Sequence, residues 1–249
     1  MTRPTLNVTI DFSTGASFGY PFILDESVLG GADVLSDSPK SLVVDVSNLL
    51  DSIQTNRGRN ISSEQFQTGT ASVRILDQNG DFNPQNPASP YYNYLNPMRK
   101  ITITATYLGT TYPIFAGYIT GYNTTTPKNV GEVVYTTITA IDAFRLLQMA
   151  QITTVTGAVA GETSGARINR ILDQISWPQS MRDIDTGQTT VQADPGTLRT
   201  SLGALQTIES TEYGALYMDA LGNVVFQDRA LTSSSVAGTP TVFNDNGTG

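Results

Sequence analysis

The sequence predicts a mainly β fold with an α+β part. It places an antiparallel β-barrel or sandwich over residues 1–141 and a smaller domain of helices packed on a β-hairpin over residues 142–230. Three observations carry this. Segments that alternate apolar and polar side chains follow one another from Leu6 to Ala140, the two-residue period of half-buried strands. At Ile141-Asp142 the period changes to that of a helix. The 249 residues are 39% hydrophobic and 14% charged, a globular composition with length enough for two cores.

Taken in order, Leu6, Val8, Ile10 and Phe12 fall on one face of a first strand. Ser13 to Ser17 reads as a turn. Phe18 to Leu24 is apolar but contains Tyr20-Pro21, so it is at best an edge strand. Asp25 to Pro39 is loop, Leu42 to Val46 a strand, and Val46 to Ile53 a short turn of helix. Arg57 to Asn60 is a turn leading into Ala71–Leu76, which alternates again. Ile101–Tyr107 is rich in β-branched residues, and Tyr112–Ile119 returns beside it after the turn at Leu108–Thr111. Asn123 to Gly131 is a polar loop, and Val133–Ala140 closes the sheet.

A loop over residues 77–100 interrupts the strands. It crowds Pro84, Pro87, Pro90 and Pro97 together with Tyr91, Tyr92 and Tyr94. Proline fixes φ and removes a donor, so this segment cannot join a ladder. Its rings still need a surface to pack on. Two readings stand side by side: a rigid docking surface built from Phe82, Pro84, Pro90, Tyr91, Tyr92 and Tyr94, or a lid over the end of its own barrel.

In the second domain Asp142 is placed to cap a short helix carrying Phe144, Leu146, Leu147 and Ala150. Thr153 to Gly161 is a small-residue linker. Ser164 caps a second helix whose stripe is Ile168, Ile171, Leu172 and Ile175, stopped by Trp177-Pro178. A third helix starts near Thr197, with Leu198, Leu202, Leu205 and Ile208 as its stripe and Gly214 at C′. Ala215–Met218 and Val224–Arg229 form a hairpin. Residues 231–249 are a polar C-terminal segment, where a further domain would begin.

Composition limits the chemistry. There is no Cys and no His, which excludes disulfides, thiolate zinc sites, His-ligated metals and Ser-His-Asp catalysis within this chain. A net charge of −8 without a basic cluster argues against stable nucleic-acid binding. No run approaches the length of a membrane span, and the N-terminus shows no apolar signal core. Asp77, Asn79 and Asp81 have the spacing of calcium ligands. However, the glycine is at position 4 and Ala88 stands where the bidentate acid belongs, so the reading is an Asx-rich turn. Gly157–Thr163 lacks the lysine of a phosphate loop and reads as linker. Glu209 and Glu212, three apart on the third helix, read as a solvated face rather than a hydrolytic pair. No catalytic, cofactor-binding or metal residue is nominated.

The order of motifs from Gly69 to Ile119 is GTASV, D-x-N-G-x-F-x-P-x-N, SPYY, L-x-P, I-T-I and Y-x-I-F-x-G-Y-I. A second group joins S-G-A-R-I-x-x-I-L-D and W-P to S-L-G-A-L-Q-T-I-E-S-T-E-Y-G-A-L-Y-M-D and G-N-V-V-F-Q-D-R. Together they resemble the minor tail proteins of long-tailed bacteriophages, specifically the tail-tip hub related to the baseplate hub of contractile tails. The resemblance implies a structural virion component at the distal tip of the tail. That component would close the tail tube and link it to the spike or fibres during assembly and host attachment. It implies a homotrimer contacting the distal tail protein or tube, the tape measure protein and the spike or fibre proteins, with no enzymatic turnover. Family hubs usually carry a second barrel, which in a trimer would give a six-barrel ring; this sequence ends at Asn244-Asp-Asn-Gly-Thr-Gly249, and is expected either to be part of a longer hub or to lack that second barrel. The residues leave two other readings: a carbohydrate- or receptor-binding module stacking sugars on Tyr91, Tyr92 and Tyr94, and a cell-wall hydrolase using Glu212.

Overall fold

The computed structural model describes residues 3–12, 42–59, 65–125 and 133–230. The expected edge strand Phe18–Leu24, the loop Asp25–Pro39 and the C-terminal segment 231–249 lie outside the described residues.

Seven strands form one antiparallel sheet: β1 (Thr5–Asp11), β2 (Val43–Asp45), β3 (Leu50–Gly58), β4 (Gln67–Leu76), β5 (Lys100–Tyr107), β6 (Thr110–Thr124) and β7 (Tyr135–Ile141), in the order β2-β1-β5-β6-β7-β4-β3. The two edge strands are neighbours in the chain, joined by Val46 and the 3₁₀ turn Ser47–Leu49. The sheet therefore curls until its edges meet at that turn. Among the described residues no ladder joins β2 to β3, so this is an open barrel rather than a closed one. The inward positions follow the predicted alternation: Val8, Ile10 and Phe12 from β1 and its end, Ala71, Val73 and Ile75 from β4, Ile101 and Ile103 from β5, and Ile138 and Ala140 from β7.

The strand β3 departs from the sequence reading, which had a helical turn running to Ile53. The turn is confined to Ser47–Leu49, and nine residues of strand follow. As an edge strand β3 is mostly solvated on both faces, so it lacks the alternation that marks a buried strand.

The 15-residue β6 is the seam of the sheet. Its first half pairs with β5 as far as Lys100↔Tyr118, and its second half pairs with β7 from Tyr118↔Ile141. Gly117 sits at that changeover, where a Cβ would lie 2.3 Å from the Ile141 carbonyl oxygen and 2.7 Å from the Phe115 ring. Gly117→Ala is expected to destabilise the chain by about 2 kcal/mol through overpacking, read as a lowered denaturant midpoint with an unchanged m-value. An unchanged midpoint would contradict the seam.

The second unit starts with α1 (Phe144–Met149) and contains α2 (Ser164–Gln174) and α3 (Ser201–Glu212). Two short strands, β8 (Gln151–Ile152) and β10 (Arg199–Thr200), pair with each other. The predicted hairpin is β11 (Ala215–Met218) and β12 (Val224–Gln227). It gains a third strand that the sequence did not suggest, β9 (Arg182–Ile184), parallel to β12. The α2 stripe is as predicted, with Ile168, Ile171 and Leu172 buried against Leu147, Trp177, Leu205 and Phe226.

Three local expectations change. Thr163, not Ser164, caps α2, accepting the Ala166 N–H at 3.3 Å. The third helix begins at Ser201 behind a Thr200 cap, leaving Leu198 exposed. Tyr213 takes the left-handed turn at the end of α3 with φ 56°. Gly214 is needed instead for close approach, since a Cβ there would lie 2.4 Å from the Gln227 carbonyl oxygen.

The two units share a junction. Tyr118 of β6 is buried in the second core. Arg57 donates from β3 to the Ile114 carbonyl at 2.8 Å and to the Met218 carbonyl at 2.9 Å. Asp142 lies two residues before α1, so Ala143 rather than Asp142 is its N-cap, and Asp142 accepts the Phe144 N–H at 3.0 Å and the Gly69 N–H at 2.6 Å. Burial pushes its pKa up to about 6, against the pull of those two bonds and of Arg57.

Candidate assembly interface

The loop between β4 and β5 is built from a short repeat that the sequence reading passed over: Asn83-Pro84-Gln85, Asn86-Pro87-Ala88, Ser89-Pro90-Tyr91. Each triplet opens a turn closed by an i→i+3 backbone bond, Asn86 to Asn83, Ser89 to Asn86 and Tyr92 to Ser89, at 3.0–3.1 Å. Proline therefore stands at i+1 of three successive turns, where its fixed φ is already correct. The first residue of each triplet adds a side-chain bond two residues ahead. Asn83 accepts from the Gln85 N–H at 3.0 Å, Asn86 from Ala88 at 3.1 Å and Ser89 from Tyr91 at 3.0 Å. Two more turns, Asp77–Gly80 and Gly80–Asn83, lead into the repeat.

Asp77 anchors the start of the loop. One carboxylate oxygen accepts the Asp81 N–H at 2.6 Å, and the other accepts the Phe82 N–H at 3.1 Å and the Thr136 hydroxyl at 2.7 Å. Both oxygens of the would-be first calcium ligand are thus spent on the loop and on β7, which leaves the Asx-turn reading. Among the described residues no group of acidic side chains has the arrangement of a metal site.

The six nominated residues divide by direction. Phe82 is fully buried, and Tyr91 packs between Phe12 and Phe82 with ring centroids 5.4 and 5.1 Å away. Tyr94 is half-buried against the same core, beside the buried Leu95. These residues make the loop a lid on its own barrel. Pro84, Pro90 and Tyr92 point the other way and are exposed, as is Pro87 between them. The lid is therefore held from inside, while its outer face carries a proline ridge and one tyrosine.

The carboxylates of α3 are not on a solvated face. Glu209 is 3% exposed and Glu212 fully buried. Glu209 accepts the Leu216 N–H at 2.8 Å, and burial pushes its pKa up to about 7 against that bond and the charge of Arg59. Glu212 also pays a burial penalty, but bonds from Gln188, Ser164 and Thr189 outweigh it and hold its pKa below the usual value. Asp219, in the turn of the hairpin beyond α3, bonds within that turn, to Leu221 and Asn223. Helix periodicity missed these burials because the partners, Leu216, Ser164, Gln188 and Thr189, lie outside the helix. The cavity of about 350 Å³ between α2 and α3 is lined by Ile171, Val191, Ala204 and Ile208 and includes neither glutamate.

No protein-family model and no curated protein sequence matches the chain. Among solved structures, its neighbours are phage tail proteins. The 43 kDa tail protein of prophage MuSo2 from Shewanella oneidensis is 14% identical with a TM-score of 0.42, over 71% of this chain and 54% of that one. The tail protein from Neisseria meningitidis MC58 is 12% identical with a TM-score of 0.41, over 69% of this chain and 45% of that one. The chain thus spans about half the length of the tail proteins it matches. These are likenesses of fold, and no residue role is carried over from them.

Proposed function

We propose that the chain is a structural component of a phage tail, a hub that closes the tube at its distal tip and links it to the spike or fibres. It would act as a homotrimer, without turnover. Its partners would be the tube or distal tail protein, the tape measure protein and the spike or fibre proteins. The order of motifs along both halves of the chain supports this reading. The observation that carries it is the lid, whose outer face of Pro84, Pro87, Pro90 and Tyr92 is set by three successive proline turns. A surface already ordered before contact loses little entropy on docking, which suits an assembly protein.

Two features weigh against the other readings. A sugar-stacking module needs free rings, and Tyr91 and Tyr94 are committed to the core, leaving Tyr92. A glycosidase needs carboxylates facing a cleft, and both oxygens of Glu212 bind the protein's own groups.

Tyr92→Ser combined with Pro90→Ser tests the interface without touching the core. The expected result is binding to the tail proteins encoded beside this chain weakened about tenfold or more, with the melting temperature held to within about 3 °C. Full binding by the variant would remove the lid from the interface.

A further inference from the structure

The cavity of about 350 Å³ between α2 and α3 joins two kinds of surface. Its floor is apolar: Ile171 of α2, Val191, and Ala204 and Ile208 of α3. Two guanidinium groups, Arg167 and Arg199, also line it, and no Asp or Glu does. The volume is that of a small-ligand site. The wall segment 191–195 belongs to no helix or strand, yet it is strapped in place. Val191 donates to the Glu162 carbonyl and accepts from the Gly161 N–H, both at 2.9 Å. Asp194 accepts the Val155 N–H at 2.7 Å and binds Arg199, whose Nη1 also donates to the Thr153 and Thr197 carbonyls at 2.8 Å. The cavity is therefore formed before anything enters it.

Arg167 indicates the occupant. It is only 5% exposed. Its Nε donates to the Glu162 carboxylate, and its Nη2 donates to the carbonyls of Val159 at 3.0 Å and Gln192 at 2.9 Å. Its Nη1 makes no hydrogen bond among the described residues and is not sealed from solvent. A buried guanidinium that lines a cavity with one nitrogen unspent is an open donor for an anion. Charge agrees. Arg167 and Arg170 share Glu162, and Arg199 takes Asp194, so three cations meet two carboxylates in a chain of net charge −8. One open donor and one unit of excess charge fit a monoanion. The floor fits a hydrocarbon body, whereas phosphate would gain nothing from Ile171 and Ile208.

We infer that this cavity binds a carboxylate carried on an apolar body, with the carboxylate at Arg167 Nη1 and the body on the floor between α2 and α3. A free organic acid and the C-terminal residue of another polypeptide share that chemistry. The site stands whether or not the chain is a tail hub, because the lid belongs to the other unit. The test is an amide NMR titration of the full, nitrogen-15-labelled chain with hexanoate, hexanamide and N-acetyl-Ala-Leu. Hexanoate is expected to give saturable shifts at Gln192 and around Ala204, with a Kd of about 1 mM. Hexanamide, which has no charge, is expected to bind at least about tenfold more weakly, as is hexanoate to Arg167→Gln. Arg167 also braces the cavity wall, so the deciding pair is at Thr207, which is exposed on the rim and bonds only within its own helix, to the Gly203 carbonyl at 2.9 Å. Thr207→Glu is expected to weaken hexanoate binding roughly threefold and Thr207→Lys to tighten it by a similar factor. N-acetyl-Ala-Leu binding more tightly than hexanoate assigns the site to a chain terminus, and the reverse order assigns it to a free acid. The absence of saturable shifts with either acid, equal binding of hexanamide, or Thr207 variants that both match wild type would overturn the inference.

Discussion

Glu212→Ala is expected to destabilise the protein by about 4 kcal/mol, the largest effect of any single change considered. Glu212 ends α3 and is fully buried. Its carboxylate accepts the Ser164 hydroxyl at 2.8 Å, the Gln188 N–H at 3.0 Å and the Thr189 N–H at 2.8 Å. It therefore ties the end of α3 to the first turn of α2 and to the segment entering from β9. Truncation leaves two backbone donors and one hydroxyl without this acceptor, and each such loss costs about 1–3 kcal/mol. Space there is already tight, since a Cβ on Gly187 would lie 3.2 Å from the Glu212 carboxylate. Glu212→Gln keeps the shape but turns a donor toward other donors, so about half the loss is expected. The pH dependence has a fixed sign. The folded pKa is held below the ordinary glutamate value of 4.5, so this stabilisation is present above that value and is lost as the pH falls through the folded one. Urea unfolding of the three proteins at neutral pH measures the series. A Glu212→Ala midpoint equal to wild type would show that the bonds do not hold the unit together.

Glu209→Gln is expected to stabilise the protein above neutral pH, by about 3 kcal/mol at pH 8. Burial penalises the charge of Glu209 and pushes its pKa up to about 7 from the ordinary glutamate value of 4.5. The folded state thus binds this proton more tightly than the unfolded chain does. The contribution is complete below pH 4.5 and is lost as the pH rises through about 7. Asp142, raised to about 6, adds to the same decline. Glutamine keeps the acceptor for the Leu216 N–H and carries no charge to desolvate. Melting temperatures from pH 5 to pH 8 should fall for wild type and fall less for Glu209→Gln. Parallel curves for the two proteins would contradict the assignment.

Much of the fold was legible because burial was written as periodicity. Val8, Ile10 and Phe12, then Ala71, Val73 and Ile75, alternate because one face of each strand is the core. Ile168, Ile171 and Leu172 recur at helical spacing for the same reason. Strand β3 was not legible, because an edge strand with little buried surface has no reason to alternate. The third strand β9 was not legible either, since three residues leave no period to read. The site was half legible. Crowded prolines and tyrosines marked the loop, but composition alone left lid and docking surface equal. The triplet repeat from Asn83 to Tyr91 was the available signal, because proline after Asn or Ser at a fixed interval states where each turn opens. The burial of Glu209 and Glu212 could not be read from helix spacing, since their partners Leu216, Gln188 and Thr189 are set by tertiary structure.

Under the proposed function the chain is a building block of a tail rather than a catalyst or a free-standing receptor-binding module. The most direct measurement is the mass, by light scattering, of the complex it forms when co-expressed with the proteins encoded beside it. The proposal predicts a stable assembly holding three copies of the chain. A chain that remains a single copy, bound to none of those proteins at any concentration, would contradict it.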